Sequence, residues 1–401
     1  MTRRRTHALL AGLWVSQWLA PSFLGMGGLT TILYREGVPL ERLGALQALT
    51  LIGLARLAWA PLMDRFGVRR LGHYRSWLLV AQPAMVLLVA ALVPLDPVDD
   101  LAAVAALVVA IWVVMGVQDV ATDALSVRLL DAADRGIANG VQTAAGFLGT
   151  LVGAGAVLLV FDRWGWTPAL VCLAAATLLP LMQILRFREP PAEARDRAGF
   201  GSLATLLRQP GTARWALVLL PLMWAGIGGY FAVLTPMLVD LGWSLTRISL
   251  TVTVLGSLAA IAGGIAAGRV TARVGRARSL TLFGTAQLLA AAGLLPVAFG
   301  SGGHMFVAAV VIAIHLAYAA AVTTASTVCM DLSRPASAGS DYTALTTIGT
   351  GVSLATGAAA TAAAGAFGYP VVLGGSVLLL AVGVAAARTA PIRDRADERR
   401  D

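Results

Sequence analysis

The segment Trp59-Ala-Pro-Leu-Met-Asp64-Arg65-Phe-Gly67-Val-Arg69-Arg70 constrains this chain more than any other. It sets one acid and three arginines between two long apolar runs. Leu43 to Met63 precedes it, broken by a single charge, Arg56, and Trp77 to Leu95 follows it with no charge. A charged elbow this short is no soluble linker. It turns the chain at a membrane surface and sends it back.

Composition agrees. The 401 residues are 58% hydrophobic and only 13% charged, whereas soluble domains carry about 25% charged residues. Too little charge is present to cover a water-soluble body of this size, so the excess apolar surface faces lipid. A net charge of +9 could suggest nucleic acid. The arginines, however, are not pooled into one basic face. They punctuate the ends of apolar runs, where the positive-inside bias places them. Cys172 and Cys329 both lie inside apolar runs and read as small hydrophobes, with no disulfide or metal site implied. The basic amino terminus followed by an apolar run could mimic a signal peptide. That run continues to about Leu33 and reads as a retained first span.

A spanning helix needs about 20 mostly apolar residues. The chain offers twelve such stretches: 8–33, 41–63, 76–95, 101–127, 136–161, 166–186, 213–238, 245–268, 279–299, 304–329, 341–366 and 370–388. In lipid, unpaired backbone is too costly, so these are helices. With the amino terminus in the cytoplasm, 25 of the 30 arginines fall on the cytoplasmic side and four (Arg35, Arg42, Arg163, Arg247) outside, with Arg56 within the membrane. Both termini are therefore expected in the cytoplasm. The polar stretch from Phe187 to Gln209 divides six spans from six. The expected organisation is a six-helix bundle over 1–188, a cytoplasmic linker over 189–210 and a second bundle with a basic tail over 211–401.

The halves echo each other. Asp64-Arg65-Phe-Gly67-Val-Arg69-Arg70 follows the second span, and Ala272-Arg273-Val-Gly275-Arg276-Ala-Arg278 follows the eighth, 208 residues later. The same offset carries Asp123 onto Asp331. Parallel six-helix repeats are a transporter plan.

The first elbow resembles the signature loop of the major facilitator superfamily, Gly-x-x-x-Asp-Arg-x-Gly-Arg-Arg. Ala60 replaces the first glycine, while Asp64, Arg65, Gly67 and Arg70 match. A narrower likeness is to the AmpG-like permeases. It rests on Arg56-Leu-Ala-Trp59-Ala-Pro61-Leu-Met-Asp64-Arg65, on Gln118-Asp119-Val-Ala-Thr-Asp123-Ala, and on Ala338-Gly-Ser-Asp341-Tyr342-Thr. Arg56 stands where that group usually has lysine. Leu71-Gly-His73-Tyr74-Arg75-Ser-Trp77 and Ser16-Gln17 are most similar to the siderophore permeases of the RhtX/FptX type. The resemblance implies an all-α fold of two pseudo-symmetric six-helix bundles and alternating access in the bacterial inner membrane. It further implies proton-coupled uptake of a siderophore or its iron complex. The alternatives are a muropeptide permease of AmpG type, a drug or metabolite exporter, or, in another class, a non-transporting membrane sensor.

Charges inside a bilayer are functional candidates. Arg56 and Asp119 lie at similar depth on the second and fourth spans. They suggest either a permanent ion pair or a proton-coupling pair. Asp123, one turn further along, joins Asp64, Arg65 and Arg69 in an expected gate. The resemblance links that gate to the start of the eleventh span, where Asp341 and Tyr342 sit. Gln17, Trp18, Trp224, Tyr230 and His315 are expected cavity residues, each weighed against plain packing. Pro221 and Pro236 are expected to kink the seventh span. No enzyme constellation or phosphate loop appears. The expected energy source is a proton gradient with no cofactor, and the expected partners are a small molecule and the bilayer, with the chain a monomer.

Overall fold

A computed structural model describes residues 3–25, 27–68, 70–190 and 202–389. Twelve long helical segments account for nearly all of them. They are α1 (Arg3–Arg35), α2 (Glu41–Arg65), α3 (His73–Ala91), α4 (Leu101–Leu129), α5 (Ala132–Trp164), α6 (Trp166–Arg186), α7 (Thr212–Asp240), α8 (Leu245–Val274), α9 (Arg276–Ala298), α10 (His304–Leu332), α11 (Ala338–Phe367) and α12 (Tyr369–Arg388). Among the described residues, eleven are long and apolar enough to cross a membrane. The twelfth expected span is α11, a continuous helix of 30 residues. Its alanine, glycine and threonine content gives it a modest apolar character, and small residues are what close helix packing in lipid selects.

Several helices depart from α geometry in mid-run. In α2 the segment Leu49–Ala55 winds as a 3-10 helix and hands over to α geometry at Arg56. Widened π turns occupy Leu151–Ala156 in α5, Trp215–Leu219 in α7 and Ser249–Leu255 in α8. The turn in α7 directly precedes Pro221. A proline ring cannot tolerate the carbonyl four residues back, and a wider turn relieves that clash. The helix continues through Pro236.

The chain divides into two compact units: Met1–Leu129 with Ala145–Ser202 and Ser333–Thr343, and Leu130–Ala144 with Leu203–Leu332 and Ala344–Asp401. Compared with the expected bounds, 130–144 and 333–343 change sides. The first stretch packs on α8 and α10, and the second on the end of α2. In the first unit, α1 packs on α4 and α6, α3 packs on α4 and α6, and α2 packs on α4. In the second, α7 packs on α12, α9 on α10 and α12, and α8 on α10. Adding six to each helix number converts most of the first pattern into the second, so the sequence echo is a duplication of packing as well. Each unit has its own apolar core, one around Phe23, Leu29, Val104, Ile111 and Leu170, the other around Tyr230, Leu234, Val311, Leu294 and Leu373.

Candidate functional site

The elbow after α2 is stapled by the start of α3. The ring nitrogen Nε2 of His73 donates to the Met63 carbonyl at 2.9 Å. Ser76 Oγ accepts from the Val68 amide at 3.1 Å, and Trp77 Nε1 donates to the Phe66 carbonyl at 2.6 Å. Gly67 leaves room for His73, since a Cβ there would lie 2.5 Å from its ring. The block Leu71 to Trp77 therefore holds the turn in shape.

Asp64, in the last turn of α2, is buried. Its Oδ1 accepts from the Tyr74 hydroxyl at 2.6 Å and from the Gly339 amide at 3.0 Å, and its Oδ2 accepts from the Ser340 amide at 2.7 Å. Those amides belong to the first turn of α11, where unpaired N–H groups and the positive end of the helix favour an anion. A Cβ on Gly339 would lie 2.6 Å from Asp64 Oδ1, so glycine is what admits the carboxylate. In the same turn, Asp341 is fully buried. It accepts from Arg334 Nε at 2.7 Å, Nη2 at 2.8 Å and the Arg334 amide at 3.1 Å. Hydrogen bonding to Asp341 pushes the Arg334 guanidinium above its usual range, against the opposing effect of partial burial. Tyr342 is buried beside it.

From Tyr74 the network continues. The Arg128 guanidinium lies 5.5 Å over the Tyr74 ring, and its Nη1 donates to Glu189 Oε1 at 3.2 Å. Glu189 Oε2 accepts from the Arg75 amide at 2.8 Å. Arg75 also caps the end of α6, donating to the Ile184 and Leu185 carbonyls at 3.1 and 3.0 Å. Tyr74, Arg128 and Glu189 are network members that sequence reasoning missed. Glu189 sits in a polar, proline-flanked stretch that reads as solvated linker, and only the fold turns it inward.

Of the expected gate, Asp64 stands at this centre. Asp123 is buried and accepts from Trp14 Nε1 of α1 at 3.1 Å. The Arg65 guanidinium lies 5.7 Å over the Phe66 ring. Arg69 lies outside the described residues.

Deeper in the first unit, Arg56 and Asp119 meet as depth alone implied. Arg56 Nη1 donates to Asp119 Oδ2, and Gln17 Nε2 of α1 donates to Asp119 Oδ1 at 3.0 Å. Gln17 is only 1% exposed and Asp119 7%. Gln17 thus serves the charge pair in this structure instead of lining open space. Its neighbours Ser16 and Leu13 bind Gln118, so α1 and α4 share a polar seam. Trp18 is half-buried and packs against Gly149, where a Cβ would lie 2.6 Å from that of Trp18.

In the second unit Asp331 accepts from Arg276 Nε at 2.8 Å and from Arg135 Nη1 at 3.0 Å. The offset of 208 residues pointed to Asp331, while Arg135 carried no signal in the sequence. The remaining expected cavity residues form an aromatic cluster. Tyr230 is fully enclosed, and its hydroxyl accepts from Gln287 Nε2 at 3.1 Å. His315 is buried with Nδ1 donating to the Val311 carbonyl at 2.8 Å. Phe231 meets His315 edge-on at 5.3 Å, and Trp224 meets Tyr318 edge-on at 6.5 Å. Both Tyr230 and His315 thus sit among the buried side chains of the second unit.

The sequence pattern of the Major Facilitator Superfamily matches residues 13–358. The chain is 27% identical over 277 residues to the anhydromuropeptide permease of Escherichia coli K12, a match covering 67% of this chain and 56% of the permease. It is 26% identical over 262 residues to the putative transporter AmpG 4 of Rickettsia felis, covering 60% of this chain and 63% of that protein. The matched stretch thus spans little more than half the length of these relatives. Among solved structures, the human organic anion transporter MFSD10 superposes with a TM-score of 0.75 at 16% identity, covering 96% of this chain and all of that one. The E. coli fucose:proton symporter FucP superposes at 0.71 and 16% identity, covering 95% of this chain and 97% of that one. Likeness at that identity shows the fold alone. With the duplicated packing, the stapled elbow and a pattern match over most of its length, the chain belongs to the Major Facilitator Superfamily.

Proposed function

We propose that this transporter carries out proton-coupled uptake across a bacterial inner membrane by alternating access, as a monomer with both termini in the cytoplasm. The observation that carries the coupling is the part-buried Arg56 paired with buried Asp119, which buried Gln17 also holds. Asp119 is buried and its partner Arg56 part-buried, both in the middle of spans and away from the two helix-end clusters. An intramembrane acid paired with one base is a proton relay's natural unit. Protonating Asp119 removes the negative charge that holds Arg56, and this ties a proton to a conformational step. The gate is the Asp64 cluster on the α11 terminus, which opens if the carboxylate leaves those amides.

Two supports bear on cargo. The His73 to Trp77 block favours a siderophore or its iron complex, although its side chains staple the elbow and so mark a branch without touching cargo. The AmpG-like relatives favour a muropeptide. A strain lacking its own importers, expressing this chain, is supplied with a panel of iron-loaded siderophores and, separately, labelled anhydromuropeptide. Growth on one siderophore supports the first reading, and muropeptide uptake without such growth supports the second. Asp119→Asn is expected to abolish gradient-driven accumulation while preserving exchange of the same cargo. Wild-type accumulation in that variant removes Asp119 from the coupling role.

A further inference from the structure

Asp119 has both oxygens engaged by donors, Gln17 Nε2 on Oδ1 and Arg56 Nη1 on Oδ2. An ionised carboxylate accepts only, so the amide of Gln17 must present its NH2 end to it. The opposite end, Gln17 Oε1, is buried with no hydrogen-bond partner, and so is Arg56 Nε. An unpaired buried acceptor is a cost that native structures rarely carry without reason.

From this geometry we infer that Gln17 is the positioning residue that registers the protonation of Asp119, by turning its amide. The inference rests on the reading of Asp119 as the proton-coupling site. A proton arriving from solution makes one Asp119 oxygen a donor. Arg56 cannot accept it, because a guanidinium has donors alone. Gln17 can, after a half-turn about its terminal torsion, which brings Oε1 to the protonated Oδ1. Oδ2 stays turned toward Arg56 as a neutral acceptor. The half-turn exchanges one unpaired buried amide atom for another, so the number of orphaned groups is unchanged. It also carries the Nε2 donor away from Asp119, to the side where Oε1 now lies. The chemistry places the proton on Oδ1.

Among the described residues, the charged group touching Asp119 is Arg56 from α2. From α1 it is met by neutral Gln17. Asp123, one turn along α4, is held by Trp14 of α1. On α3, Tyr74 is engaged with Asp64. On the segment leading into α11, Arg334 and Asp341 are engaged with each other. Among the described residues, Gln17 and Arg56 are the side chains that hydrogen-bond Asp119, and of the two only Gln17 is able to switch from donor to acceptor.

The test is pH-difference infrared spectroscopy of the whole protein in proteoliposomes, without cargo. The carboxylic C=O band lost in Asp119→Asn identifies the coupling acid. In protein with isotope-labelled glutamine, a side-chain carbonyl band is expected to shift at the same pH as that carboxylic band, and to vanish in Gln17→Met. Gln17→Glu, which can also accept from an acid, should retain a titrating Asp119 band. A labelled glutamine band that stays still while Asp119 titrates, or one that still shifts with it in Gln17→Met, overturns the inference and leaves the coupling reading intact. If Asp119→Asn removes no band at any pH, the coupling reading itself fails.

Discussion

At the scale of single residues, the first turn of α11 is where charge is most concentrated on backbone. Asp64 takes two amides and a phenol there, and an asparagine could satisfy at most part of that set. Its NH2 would face donors. Asp64→Asn is expected to lower the stability of the purified protein by about 1–3 kcal/mol, read as a fall in unfolding temperature in detergent. An unchanged unfolding temperature would mean that the three contacts contribute nothing. Asp341→Asn breaks a buried pair from one side, for which the loss is about 3–5 kcal/mol. Arg334 keeps 29% of its side chain exposed, so the loss should fall at or below the lower end. The pH dependence has a definite sign. The folded protein raises Arg334 above its ordinary value. Its contribution is then fully present below that value and lost only as pH rises through the raised one. The stability gap between wild type and Asp341→Asn should stay constant from neutrality to roughly pH 10. A gap that closes in that range would assign the effect to another group. Arg56 and Asp119 were legible because helical rise converts residue number into depth. Tyr74, Arg128 and Glu189 were not, because their meeting depends on how α3, α4 and the end of α6 approach one another, and no periodicity encodes that.

At the scale of elements, glycine does two different jobs. Where α5 crosses α8 within the second unit, a Cβ on Gly140 would lie 2.5 Å from the Gly264 carbonyl oxygen, and one on Gly268 would lie 2.6 Å from the Gly136 carbonyl oxygen. The obstacle is backbone, which cannot turn aside, so the crossing must open. Gly268→Val is expected to cost about 1–3 kcal/mol or more and to cut transport at equal expression. On α11, a Cβ added at Gly365 would meet no atom within 4 Å. Gly365→Ala should be neutral or stabilising by about 0.4–1 kcal/mol. The pair is measured by thermal unfolding in detergent. Equal effects at the two positions would refute the distinction. Which glycines meet backbone and which meet nothing is not readable from the sequence, because it depends on where one helix crosses another. The helix existence and order were readable, while the π and 3-10 turns were not, since they answer local clashes such as that of Pro221.

At the scale of the whole molecule, orientation rests on arginine alone. Of 30 arginines, 25 fall on one side under the twelve-helix reading and four on the other. The helices fix which loops share a side, because each crossing reverses it. In the proposed twelve-span topology, the loop between α2 and α3, the end of α6, the loop between α8 and α9, and the start of α11 fall on the side assigned to the cytoplasm. These are also the places where Asp64, Glu189, Arg276 and Arg334 build their clusters, so the arginines that set topology are partly the ones that build the ion pairs. Reporter enzymes that work only in the cytoplasm, fused after residue 389, should be active. Single cysteines in a variant lacking Cys172 and Cys329 provide the complement. One placed at Glu36, in the turn after α1, should react with an impermeant reagent in intact cells, and one at Arg278 should react only after the membrane is opened. The reverse pattern at both positions would place the termini outside. It would also put the Asp64 cluster on the opposite face, where it would close the other end of the transport cycle.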